Sequence, residues 1–462
     1  MADSQTERLC YLATQVLSLD DGGHPVSQHD VWGRVFVQLS TQVDCVKAAA
    51  AAFGAAYESS LANNVISGSC SAWRYYGAAL ARLQSDFDSE TVGPEALTLA
   101  SMTLASVEIL SQHEQNAWAH FLGAVQILTE ADQRREEGRA SSNDILSTIK
   151  EGLAKVNLLV GCYGLSRTPQ HMYLQLEETT AGENPFLEAE PAISAAMTCL
   201  QRSYTFIELA AQLRYTYPSW KEHDPVMCER QSDAVARCQS VLYGLGALAT
   251  RLHAQYSTTT ATTRDSETLA EIYAMRTQLT STMIFILCVH SPYETAYDEH
   301  QELFRTIVSD AAASARLRHR TRPSAFKRFS TRPGIITPLF LVIMKCRDPS
   351  LRSIATALLG EQTCREGPAD GQILAAIGAR MASIESSASV PSRPGAPLAA
   401  SDILEEARVY GYEVPNPRLN DEGRRVVDIL FNQPNPPLAQ GWGSVDYSRQ
   451  DSWMRSTETI EI

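Results

Sequence analysis

The stretch from Ser69 to Gln84 reads SCSAWRYYGAALARLQ. Within it Trp73, Tyr76, Leu80 and Leu83 recur at i, i+3, i+7 and i+10, which places them on one face of an α-helix. Gly93-Pro94-Glu95 then opens a second helix, because proline suits the first helical turn and a carboxylate there favours the dipole. Residues 97–110 are apolar on nearly every side, the pattern of a buried helix. After a polar break at 111–116, Trp118, Phe121, Leu122, Val125 and Leu128 mark a third helix that ends in the charged stretch 132–139. Three helices joined by short breaks predict antiparallel neighbours.

Outward from this core the same period continues. Residues 145–160, 192–214, 233–256 and 267–290 read as helices, with Pro185, Pro191, Pro218, Pro225 and the Thr-rich run 257–263 between them. In Cys346-Arg347-Asp348-Pro349, Asp348 is a good N-cap and Pro349 fits the first turn, so 349–359 reads as a short helix closed by Gly360 with positive φ. A further helix starts near Pro368 and carries Ile373, Leu374, Ile377, Met381 and Ile384 on one face. Eight of the 21 prolines then fall between Pro391 and Pro437. That shift predicts a Pro-rich, partly irregular tail broken by one short helix at 402–409. No strand alternation persists beyond a few residues. The expectation is an all-α, multi-helix body over 1–390 and a C-terminal tail over 391–462 that wraps it or extends from it.

Composition removes several classes. The 462 residues carry 39 Lys and Arg against 53 Asp and Glu, a net charge of −14, which opposes direct nucleic-acid binding. The longest apolar runs, 283–289 and 335–344, are too short to cross a bilayer, and the N-terminus has no basic region followed by an apolar stretch. These features predict a protein of the nucleus or cytoplasm, without membrane contact. The ten cysteines are scattered without a CxxC pair and read as reduced, buried thiols.

The chemical motifs are sparse. Gly244-Leu245-Gly246-Ala247-Leu248-Ala249, with Asp265 downstream, matches a loose dinucleotide fingerprint, but helical pattern on both sides makes close helix packing the better account. His24 and His29 lie among Asp20, Asp21 and Asp30, a set able to bind zinc or iron in no recognised closed spacing, and otherwise a solvated loop. His113-Glu114 begins like HExxH but has Ala117 in place of the second histidine. Neither a GxSxG elbow nor a P-loop is present. The sequence calls for no metal and no cofactor, and leans against an enzyme. For an apolar pocket between helices the candidates are Trp118, Tyr163, Tyr243 and Trp220, with His120 or His290 as acid or base, and each also reads as a core residue.

One local charge reversal stands out. Arg316, Arg318, Arg320, Arg322, Lys327, Arg328 and Arg332 put seven cations in 17 residues, with no Asp or Glu from 311 to 347. This basic loop reads as a solvated inter-helix connection, a nuclear-import sequence or a patch for an acidic partner.

Three stretches resemble the fungal-specific transcription factor domain, the helical regulatory region of binuclear zinc cluster regulators. They are residues 72–80 with 97–110 and 117–124; Tyr297-Asp298 with Phe304; and, most specific, Pro338-Leu339 through Cys346-Arg347-Asp348-Pro349, Arg352, Leu358-Leu359, Arg365-Glu366-Gly367 and Glu385. The resemblance covers about 45–390. Each motif also has a structural reading as helix caps, aromatic core positions and a buried Arg–Glu pairing between turns. The family's six-cysteine cluster does not occur in these 462 residues, so the resemblance implies a regulator without its own DNA-reading module. It would act through protein partners or a small apolar effector, in control of secondary-metabolite biosynthesis. The alternative is a helical scaffold recruited as a metabolite-binding protein or enzyme. The sequence leaves the oligomeric state open.

Overall fold

The computed structural model describes residues 2–18, 31–61, 71–111, 113–136, 144–162, 184–214, 220–258, 262–321, 328–362, 364–389, 399–414, 418–420, 425–434 and 453–461. Fifteen α-helices dominate them, and the fold is all-α with small strands. The chain packs into two compact units, Met1–Leu176 with Ser324–Arg332 and Cys364–Pro368, and Glu177–Pro323 with Pro333–Thr363 and Ala369–Ile462. The expected boundary at residue 390 does not coincide with this division.

The first unit holds α1 (Ala2–Ser18), a π-helical turn (Val31–Val35), α2 (Phe36–Gln42), α3 (Asp44–Leu61), α4 (Ser71–Asp88), α5 (Pro94–Leu110), α6 (Glu114–Glu136) and α7 (Asp144–Cys162). Every residue of α5 from Ala96 to Leu110 is buried, Glu108 included, in keeping with a pattern that is apolar on nearly every side. Its Thr103 and Ser106 hydroxyls donate to Leu99 O and Met102 O in the preceding turn, which satisfies them without tertiary partners. The alanine-rich α3 lets α1 approach closely. A Cβ on Gly54 would stand 2.2 Å from Leu9 O, so only glycine fits there. β1 (Arg328–Ser330) pairs in parallel with β2 (Cys364–Glu366), and Phe329 sets its ring edge-on to Phe53, 5.7 Å between centroids.

The second unit contains a 3-10 turn (Pro185–Leu187), α8 (Ala189–Leu213), α9 (Trp220–His223), α10 (Pro225–Thr258), α11 (Thr263–Cys288), a 3-10 segment (Glu294–His300), α12 (Gln301–Thr321), α13 (Ile336–Lys345), α14 (Pro349–Gly360) and, after the two-residue strand β3 (Ala369–Asp370), α15 (Gly371–Ser387). Asp348 caps α14 as expected, accepting from Ser350 N and Leu351 N at 2.9 Å each. Gly360 is instead the last helical residue and Glu361 ends the helix at φ −79°, so no left-handed glycine closes it. The next helix starts at Gly371, later than Pro368, because the Asp370 side chain accepts from Gln372 N and Ile373 N.

The tail departs most from expectation. Residues 402–409 form two 3-10 turns, Ala400–Asp402 and Glu405–Ala407, in place of a helix. Beyond them β4 (Gly411–Glu413), β5 (Arg418–Leu419), β6 (Arg425–Pro434) and β7 (Trp453–Glu461) form an antiparallel sheet with β6 at its centre. Val427, Ile429 and Phe431 alternate inward and are buried, so this part of the tail carries core of its own. Their period of two spans only five residues, too short to stand out among prolines.

Candidate functional site

α13 is apolar and buried from Pro338 to Ile343, and then delivers Lys345 and Arg347 into the protein interior. Charged groups survive there only when partnered. Lys345 Nζ lies 2.7 Å from Glu294 Oε1, donates to Tyr410 O at 3.0 Å and stands 5.4 Å from the centre of the Tyr297 ring. The Arg347 guanidinium is fully buried between Glu294 Oε2 at 3.3 Å and Glu385 Oε1 at 2.8 Å, and also donates to Lys345 O. Arg352, one turn into α14, places Nη2 2.6 Å from Glu385 Oε2. Arg214 reaches Glu294 Oε1 at 3.6 Å. The expected buried Arg–Glu pairing is therefore present, with Glu385 shared by Arg347 and Arg352.

The segment after α15 locks onto this node in both directions. Arg408, fully buried, donates both terminal nitrogens to Asp298, at 2.9 and 2.6 Å, and one of them also to Glu294 O. In return the Glu405 carboxylate accepts from Glu294 N at 2.6 Å, Thr295 N at 2.8 Å and the Tyr410 hydroxyl at 2.5 Å. Val409 N donates to Glu385 Oε1 at 2.8 Å.

Electrostatics follow from this geometry. Burial pushes the Glu294 carboxyl up, but Lys345, Arg347 and Arg214 outweigh it and hold it below its ordinary range. Glu385 is held down in the same way, against burial, by Arg347 and Arg352 and by the Val409 amide. Burial lowers the Lys345 ammonium, with Glu294 opposing. Arg352 is lowered by burial and by repulsion from Arg347, with Glu385 opposing, whereas Arg347 is raised because Glu385 and Glu294 overcome its burial. Two carboxylates, Glu294 and Glu385, thus answer four cations in direct ion-pair contact.

Two open grooves flank the node, with Pro349 on the wall of each. One, of about 430 Å³, is lined by Arg347, Arg352, Ser353, Thr356, Ala382 and Ile403 among others. The other, of about 630 Å³, is bounded by Asp298, Gln301, Arg305, Ser350 and Ser401. Both offer guanidinium, hydroxyl and small apolar groups, the chemistry of binding.

The first unit holds a second cluster, around the fully buried Glu108 of α5. His113 Nδ1 lies 3.0 Å from its Oε2, and Asn116 Nδ2 donates to its Oε1 at 3.3 Å. Tyr76 Oη and His120 Nε2 are 2.9 Å apart, and Trp73 sets its ring beside both His113 and Tyr76. Burial, then the Glu108 charge, raises the Tyr76 phenol. Burial lowers the His120 imidazole, with Glu108 opposing.

The other sequence candidates scatter. Trp118 stacks on Phe121 at 5.2 Å, next to the cluster in sequence but occupied in packing. Tyr243 is 83% exposed on α10 and lines neither groove. His290 meets the buried Trp220 edge-on at 6.2 Å, and its Nδ1 is buried without a hydrogen-bond partner. Burial and then Lys221 disfavour its protonated form. Tyr163, His24 and His29 lie outside the described residues. Gly244 and Gly246 sit inside α10, where a Cβ would meet the Phe186 ring at 2.5 Å and Arg276 at 2.6 Å, while Asp265 completes a capping box with Thr262 at the start of α11. Helix packing and capping account for the whole fingerprint.

The basic stretch is a loop only in part. Arg316, Arg318 and Arg320 belong to α12, which continues to Thr321 because Ala311 and Ser314 are buried, the latter donating to Ala270 O of α11. Arg328 is in β1, and Arg322 and Lys327 lie outside the described residues. Arg365 donates to Leu110 O at 3.2 Å and so caps the C-terminus of α5, next to the buried Glu366. Cys346, Arg347, Asp348 and Pro349 therefore stand in the second unit, and Arg365 and Glu366 in the first. Among the described residues no group of three His, Cys, Asp or Glu is placed to hold a metal ion, and no helix is long and apolar enough to cross a membrane.

Comparison with protein-family models, with curated proteins and with solved structures found no match.

Proposed function

We propose that this protein is a regulator that works by binding, in the manner the fungal transcription factor resemblance implies, with a small effector or a partner protein received beside the Arg347–Glu385 node, and that it controls secondary-metabolite genes. One observation carries the reading. Of the motif residues, Arg347, Pro349 and Arg352 line one groove and Asp348 and Pro349 the other, while Glu385 pairs with Arg347 and Arg352 behind the first. Occupancy of a groove would bear directly on the contacts that hold residues 399–410 to the 3-10 segment Glu294–His300, which is how a binding event becomes a change of state. The arginines from Arg316 to Arg332 supply an import sequence or an acidic-partner patch in this reading. Its test is deletion of the gene in the producing organism with transcript and metabolite profiling. Coordinated loss of one biosynthetic cluster's transcripts supports the reading. Unchanged transcripts, together with turnover of a pathway intermediate by the purified protein, overturn it.

A second reading, a helical scaffold recruited as an enzyme, is favoured by the Glu108 cluster alone. A buried carboxylate hydrogen-bonded to one imidazole, and a phenol hydrogen-bonded to another, are components of proton transfer. Tyr76→Phe and His120→Ala, with the fold intact and the metabolite profile unchanged, would remove it.

A further inference from the structure

We infer that the groove walled by Arg347 and Arg352 binds an organic monocarboxylate with an apolar body. This rests on the effector form of the regulatory reading and names the ligand class. Arg352 is 6% exposed, yet its Nε is buried without a hydrogen-bond partner, and the Nε of Arg347 behind it is likewise unpartnered. Buried guanidinium nitrogens are normally satisfied. Here both belong to the wall of a groove of about 430 Å³, within the range that holds a metabolite. With the Arg408–Asp298 pair and Glu405 included, the surrounding cluster sets five cations, Arg214, Lys345, Arg347, Arg352 and Arg408, against four carboxylates, Glu294, Glu385, Asp298 and Glu405, an excess of one positive charge for an incoming monoanion.

The donors select the anion. With its Nη2 held by Glu385, Arg352 offers a carboxylate a single charge-assisted N–H from Nε. The rest of the lining sets Pro349, Ala357, Ala382 and Ile403 as an apolar wall for a carbon chain or ring beside the Ser353, Thr356 and Ser386 hydroxyls. The volume suits a small molecule.

The test titrates the full-length protein with sodium octanoate, octanamide and inorganic phosphate by isothermal calorimetry. Octanoate is expected to bind at one site, and octanamide at least about tenfold more weakly, the difference made by one charge-assisted contact. Arg352→Gln is expected to lose octanoate binding by a similar factor. Because that variant disturbs Glu385, a second one decides. Thr356→Glu sets a carboxylate one turn from Arg352 at a half-buried position on α14 that lines the groove, where the native Thr356 hydroxyl donates to Arg352 O. It is expected to fold with an unchanged or higher melting temperature and to block octanoate. Equal binding of octanoate and octanamide, or undiminished binding to Thr356→Glu, overturns the groove. Phosphate binding more tightly than octanoate overturns the carboxylate assignment. Absent octanoate binding, with cluster transcripts still lost on gene deletion, removes this site and leaves the regulatory reading. Octanoate bound, with transcripts unchanged, does the reverse.

Discussion

Glu385→Gln is the most informative single change, because it removes one charge while keeping the shape. Glu385 is fully buried and answers Arg347 at 2.8 Å and Arg352 at 2.6 Å. A glutamine still offers an oxygen to Val409 N, so the backbone contact at 2.8 Å is retained and the effect isolates the ion pairs. Arg347 keeps Glu294, but Arg352 loses its carboxylate partner while its guanidinium stays largely buried beside the groove. Stranding a buried charge costs about 3–5 kcal/mol, two to four decades in the folding equilibrium. Guanidinium-induced unfolding followed by near-ultraviolet circular dichroism measures it. Glu58→Gln is the matched control: the same chemical change, in an ion pair with Arg8 that is about half exposed, 52% and 50%. It should leave the midpoint in place, because water already screens that pair. Arg352→Gln/Glu385→Gln should recover part of the loss. A Glu385→Gln variant indistinguishable from Glu58→Gln would refute the reasoning, since it would mean that the node is wet or its charges absent.

Glu294 and Glu385 titrate below their unfolded values, so their contribution is complete above about pH 4.5 and is lost as pH falls through their lower folded values. An acid titration of near-ultraviolet signal should show that loss, and Glu385→Gln should make its acid limb shallower. Gly54→Ala should destabilise the first unit by about 1–3 kcal/mol in chemical denaturation, because the new methyl meets the Leu9 backbone. Phe431→Ala should cost about 3–5 kcal/mol, which a loosely wrapped tail would not. Burial pushes the Cys45 and Cys288 thiols up to about 12, so neither should react with iodoacetamide at pH 8 in the folded protein, as peptide mass mapping would show.

Helices were legible where burial is one-sided or complete. The 3.6-residue stripe of α4 and the nearly all-round apolar run of α5 each admit one periodicity, and the Asp348-Pro349 cap is a local hydrogen-bond pattern that needs no tertiary partner. What the sequence concealed is set by tertiary contact. Residues 402–409 contain good helix formers, yet Glu405 and Arg408 gain more from the 294–298 segment than from a helical turn, and two short turns result. Arg347, Arg352 and Glu385 were visible as a motif. Lys345 lay in the same stretch, but Glu294 and Arg408 were not visible, because a charged residue between helices reads as solvated. Glu108 did leave a signal: an acid amid an all-round apolar helix has to find a partner, and His113 stands five residues away.

The latch between the Glu294 segment and residues 405–410 also sets an order of events during synthesis. Arg347 emerges 62 residues before Val409, Lys345 65 before Tyr410, and Glu294 111 before Glu405. At bacterial to eukaryotic elongation rates of about 5–20 residues per second, the interval between Arg347 and Val409 is roughly 3–12 s. Through that time α13 and α14 can form, but their charged ends are short of the carbonyls and carboxylate that allow them to be enclosed. The second unit therefore closes late, after residues 405–410 have been made, and until then the nascent chain depends on water, or on a chaperone, to keep the apolar α13 from finding other company first.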